Sequence, residues 1–186
     1  LGAYTEAAWF AEYDSEAAVD GGVFLDGRLD VARMTSISAG ASYDRLNESR
    51  RGYNTSFLFQ EPIDYSLTQA YLGFQQEISR VRFSLQGDFA DYNYEDATPV
   101  TGATGSGLFF NADQDFRDRQ SYSVFGEVGF AVTRDVAIYF SGEYNWQDFD
   151  APDAVFTRNR DSSGYRLTAG TEFDLSKLVR GRLGVG

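Results

Sequence analysis

Side chains that do chemistry are scarce in this chain, which has neither histidine nor cysteine. Their absence removes Ser/His/Asp triads, Cys/His pairs, disulfides, and metals held by imidazole or thiolate. Carboxylates are what remain. Glu127 and Glu143 would share acid and base work if adjacent strands set them opposite each other. Asn111, Asp113, Asp115 and Asp118 offer several oxygen ligands within eight residues, as calcium prefers, but lack the glycine and terminal Glu of an EF-hand loop. A solvated acidic loop accounts for them more simply, with divalent ions bridging it to anionic lipid as the alternative. The run Thr101 to Gly107 is glycine-rich yet matches no phosphate-binding fingerprint, and no helix follows on which a phosphate would sit. The chain therefore reads as a non-enzyme, with no catalytic residue, metal site or cofactor assigned.

The charge balance narrows the partners. Net charge is -12, with fifteen arginines and a single lysine, Lys177, and no basic run that would follow a phosphate backbone, so nucleic acid is not expected as a partner. What organises the charges is a period of two. From Val81 to Ala90, Val81, Phe83, Leu85, Gly87 and Phe89 fall on one face, while Arg82, Ser84, Gln86, Asp88 and Ala90 fall on the other, as successive side chains of a strand do. Such stretches run ten to fourteen residues. Strands of soluble proteins usually stop at about 5 or 6, whereas a tilted strand crossing hydrocarbon needs about 9 to 11. No run of 18 apolar residues exists to make a transmembrane helix, yet aromatics reach 16%. The expectation is an all-β, antiparallel, up-and-down transmembrane β-barrel.

About nine strands are legible, over roughly 3–13, 22–32, 36–46, 65–79, 81–93, 120–133, 135–148, 163–175 and 180–186. Their connections alternate: 14–21, 47–64, 94–119 and 149–162 are long and polar, while the joins near 33–35, 80, 134 and 176–179 are short, as in outer-membrane barrels. All three prolines, Pro62, Pro99 and Pro152, fall in long connections, where they break no ladder. Expected to face lipid are Val81, Phe83, Leu85, Phe89, Val124, Val128, Phe130, Val136, Ile138, Phe140 and Leu167. Glu6, Asp26, Arg28, Asp30, Glu77, Arg82, Asp88, Glu127, Glu143, Arg166 and Glu172 are expected to line the lumen. Acids outnumber bases there, so an open pore would favour cations or neutral solutes. In a narrow barrel these charges would instead cross-pair, Asp26 and Asp30 with Arg28, or Glu77 with Arg82 across a hairpin. Trp9, Tyr13, Tyr92, Tyr144, Trp146 and Tyr165 near strand ends would supply interfacial girdles.

Two segments carry a family resemblance. Phe173 to Gly186 (FDLSKLVRGRLGVG) is similar to a strand, a short leucine-and-arginine turn and a glycine-rich strand of the β-barrel porin family (porin 2 type) of proteobacterial outer membranes. Glu61-Pro62-Ile63-Asp64-Tyr65, leading into the strand 68–78, resembles the same family. The resemblance implies a barrel in the bacterial cell outer membrane, in contact with lipid and lipopolysaccharide, and no catalytic signature. Members are typically about twice this long, and bacterial barrels close on an even strand number. The 186 residues are thus expected to be a single, incomplete β-barrel domain lacking at least one strand, with 10 to 16 in the intact protein. Passive passage of small polar solutes is the leading expectation. Export of a glycan such as an exopolysaccharide, with Tyr71, Phe125 and Tyr139 stacking on sugar rings, and a plugged structural or adhesive barrel, follow it; a soluble sandwich comes last.

Overall fold

A computed structural model describes residues 1–8, 18–48, 62–97, 113–151, 159–174 and 179–186. Nine strands follow one another: β1 (Gly2–Ala8), β2 (Ala18–Ala32), β3 (Thr35–Asn47), β4 (Asp64–Ile78), β5 (Val81–Tyr94), β6 (Arg119–Ala131), β7 (Val136–Phe149), β8 (Ser162–Asp174) and β9 (Arg180–Val185). Each pairs antiparallel with the next, so sequence order and sheet order coincide. β1 and β9 form the two edges, and among the described residues no pairing joins them. A short 3-10 turn, Asp115–Arg117, precedes β6. Among the described residues no helix is long and apolar enough to cross a membrane. The long strands have that reach instead, β2 and β4 with 15 residues each.

The strands form where alternation placed them, with one correction. β2 begins at Ala18, inside the stretch expected to be a loop. Asp20-Gly21-Gly22 carries turn chemistry, but Ala7 pairs with Val19 and Thr5 with Gly21, and backbone pairing with β1 outweighs local preference. At the opposite end the hairpins are tight. Ile78 pairs with Val81 across Ser79 and Arg80. Ser79 takes φ 57°, the left-handed region that a twist-matched two-residue hairpin demands and that glycine usually fills.

Register keeps the two chemistries apart. Phe83, Val128, Phe140 and Ala169 lie side by side across β5 to β8, while Asp26, Gly40, Tyr71, Asp88, Ser123, Asn145 and Gly164 form a row across β2 to β8 on the other face. Exposure is the inverse of a soluble protein's. Phe140 is 55% exposed and its neighbour Ser141 only 7%; Val128 is 45% exposed and Glu127 7%. The polar face is therefore the concave, crowded one, and the apolar face bulges outward. Among the described residues the apolar core is small: Ile63 and Ala97 cluster with Tyr94 at the long-loop end, and Tyr139 is buried within the concave face.

Candidate functional site

The concave face is a trough, and register assigns its lining. Glu6, Asp26, Arg28, Asp30, Glu77, Arg82, Asp88, Glu127, Glu143, Arg166 and Glu172 share it. Val81, Phe83, Leu85, Phe89, Val124, Val128, Phe130, Val136, Ile138, Phe140 and Leu167 share the opposite face. Trp9 and Tyr13 lie outside the described residues. Tyr144, Trp146 and Tyr165 are on the apolar face, where Trp146 stacks on Tyr122 at 4.9 Å and meets Tyr144 at 5.6 Å. Tyr92 is a correction: alternation turns it into the trough, under the Arg119 guanidinium at 4.0 Å.

Near the short turns the trough is crossed by ion pairs. Arg82 of β5 reaches Glu172 of β8 at 2.8 Å and Glu127 of β6 at 3.4 Å, while Arg182 of β9 pairs with Glu127 and, at 3.4 Å, with Glu172. Three inter-strand steps separate β5 from β8, about 14 Å along the sheet. Two side chains meet over that span because the sheet curves and the residues beneath are small. Arg82 lies over Gly129, and Tyr139 lies over Gly170 and Gly184, with Arg182 stacked 3.7 Å above its ring. The expected Glu77–Arg82 hairpin pair does not form, although the two are register partners. Arg82 finds two carboxylates elsewhere instead of one. Arg28 pairs with Asp30 at 2.9 Å, but Asp26 accepts the Tyr71 hydroxyl at 3.2 Å. Glu127 and Glu143 are not opposite each other, because Glu127 pairs with Ser141 and Glu143 with Phe125. Each is engaged by arginine, Glu143 by Arg166, which leaves no free acid/base couple.

Midway, the trough opens into a hollow of about 760 Å³ bordered by Phe24, Asp26, Ser42, Gln69, Tyr71, Asp88, Ser123, Asn145 and Gln147 among others, with no Arg or Lys. Asp88 accepts from Gln86 at 2.7 Å and Ser123 at 3.2 Å. The hollow's lining sets hydroxyls and amides, which donate and accept, beside the carboxylates of Asp26, Asp88 and Glu143 and several aromatic rings, a mixture that serves hydrated or hydroxylated solutes. Across the trough, the guanidinium groups of Arg28, Arg82, Arg166, Arg180 and Arg182 have carboxylate partners, while Arg119 and Arg160 lie over aromatic rings. Glu6, Asp20, Asp26, Asp44, Glu77 and Asp88 have no cationic partner among the described residues. The unbalanced charge is negative.

At the long-loop end the acidic loop divides its work. Asp96, Asp113 and Asp115 bring carboxylate oxygens within 4.8 Å of one another, all exposed, and loop amides occupy two of them, Gln114 N–H on Asp96 and Asp115 N–H on Asp113. Asp118, grouped with them in the sequence reading, turns away. Its carboxylate accepts the Tyr94 N–H at 2.7 Å, and burial, opposed by that bond, holds its carboxyl above the usual carboxylate range. Asn111 and the Thr101–Gly107 run lie outside the described residues. Sequence reasoning had no means of finding the pair formed here by Arg117 and Glu48, since 69 residues separate them and no periodicity links them.

A meander of membrane-length strands with apolar side chains outside and a charged trough inside defines the wall of a porin-type β-barrel. The chain belongs to the family described as putative beta-barrel porin 2, whose model matches residues 1–186. No curated protein and no solved structure matches it.

Proposed function

We propose that this wall belongs to an outer-membrane pore of a Gram-negative bacterium, giving small polar solutes a passive route and favouring cations and neutral solutes over anions. The observation that carries the reading is the inverted exposure: a lipid-compatible convex face behind a concave face of carboxylates, amides and hydroxyls. A trough in which unpaired carboxylates outnumber unpaired guanidinium groups lowers the energy of an entering cation and raises that of an anion. No step of catalysis is part of the proposal. Its partners are lipid and lipopolysaccharide outside and the solute within.

Planar-bilayer recording of the intact protein tests the proposal. Steady, weakly cation-selective current supports it, and anion selectivity refutes the charge argument. A second reading, export of a glycan, draws on Tyr71, which borders the hollow beside amides and hydroxyls. Tyr139 cannot serve in it, being 7% exposed beneath Arg182. Silence from a correctly folded barrel, with glycan retained on the protein, would favour export; silence alone would favour a plugged structural barrel.

A further inference from the structure

At the long-loop end, residues 113–118 do not simply continue away from the strands. The Arg117 guanidinium forms two parallel bonds to the Glu48 carboxylate, at 2.6 and 2.9 Å, and sits 4.0 Å over the Tyr94 ring. Glu48 follows β3, whereas Arg117 precedes β6. The turn therefore passes over the ends of β4 and β5 to reach it. Tyr94 and its stacking partner Tyr65, 5.0 Å away, both point into the trough by strand alternation, so the crossing lies on the trough side.

The other flank is tied as well. Arg160 donates to the Phe116 carbonyl at 2.5 Å and stacks 4.2 Å over Phe149, another trough-facing ring, while the Asp150 N–H donates to the Asp118 carbonyl at 3.1 Å. Gln114 and Asp118 are buried, and Ile63, Ala97 and Tyr94 form an apolar cluster at this same place. Glu48 is itself fixed, its N–H donating to the Ile63 carbonyl at 2.8 Å. This segment is packed and fastened at both sides, from the end of β3 to the β7–β8 connection.

We infer that residues 113–118 form a strap across the mouth of the trough and set the size limit of the solute that enters, with Arg117–Glu48 as its fastening. The inference rests on the passage proposed above. The β3 flank is held by this one bidentate, charge-assisted pair, whereas Arg160 and Asp150 hold the other flank, so one substitution at Glu48 frees one side of the strap. Glu48→Gln keeps the shape and removes the charge. The strap's open population should rise roughly tenfold, equivalent to about 1.4 kcal/mol.

The test measures unit conductance of the intact protein in planar bilayers and the largest polyethylene glycol that still enters the pore. It compares parent, Glu48→Gln and the charge-reversed double variant Glu48→Arg/Arg117→Glu, each shown to be folded by circular dichroism. Support is a larger conductance and a longer admitted polymer in Glu48→Gln, with a return toward the parent in the double variant. A parent that conducts, beside a Glu48→Gln protein with identical conductance and identical limit, overturns the strap and leaves the passage standing. Silence from all three folded proteins overturns the passage and the strap together. Silence from the parent with current from Glu48→Gln supports both, with the strap as the closure.

Discussion

Leu25 and Val31 are equally exposed on the apolar face of β2, 58% and 59%, so accessibility alone predicts that a lysine at either position costs the same. A bilayer predicts otherwise. β2 runs for 15 residues and Leu25 is its midpoint. At about 3.3 Å per residue and a tilt near 40°, the strand rises about 38 Å, so Leu25 sits at mid-membrane and Val31 about 15 Å away, past the edge of an apolar band about 25 Å tall. Leu25→Lys should then cost about 2–4 kcal/mol and Val31→Lys about 0–1. Asp26→Lys, one residue along but in the trough, should leave stability close to the parent's. Urea unfolding of the intact protein from lipid vesicles, followed by tryptophan fluorescence, gives all three values. Equal costs at 25 and 31, or a cost at 26 matching that at 25, would refute the assignment of the convex face to lipid.

Glu127 joins Arg82 and Arg182 while both keep Glu172, and both guanidinium groups are partly solvated. Glu127→Ala should therefore destabilise by about 2 kcal/mol rather than the larger cost of a fully stranded buried charge, and combining it with Arg182→Ala should cost less than the sum, as a urea double-mutant cycle will show. Because the folded state holds the Asp118 proton more tightly than the unfolded chain, stability should fall as pH rises from the ordinary carboxylate value through the raised one. Asp118→Asn keeps the acceptor for the Tyr94 N–H and should abolish that slope. Asp118→Ala leaves the amide unpaired and should cost about 1–3 kcal/mol, measured as urea midpoints across the same pH range. Replacing both Asp26 and Asp88 by Asn should lower the cation-to-anion permeability ratio, read as a shift in reversal potential under a salt gradient; an unchanged ratio would place selection elsewhere.

Alternation alone located the strands and separated Phe83 from Arg82 or Phe140 from Ser141, because side-chain direction in a strand is a local property with a fixed period. The strands' length and the alternation of long and short connections indicated a membrane wall for the same reason, being countable along the chain. Partner choice was not local. Glu77 stands opposite Arg82, yet Arg82 bonds Glu127 and Glu172, because curvature of the sheet and small residues such as Gly129 bring β6 and β8 within its reach. Glu127 and Glu143 looked like a couple until register offset them by one pair on the same face. The Arg117–Glu48 fastening spans 69 residues and exists only because four consecutive strands fold up beside one another and end at the same rim. One-dimensional pattern decides which way a side chain points; which of the groups on that face it meets is decided by curvature and register, and those belong to the assembled sheet.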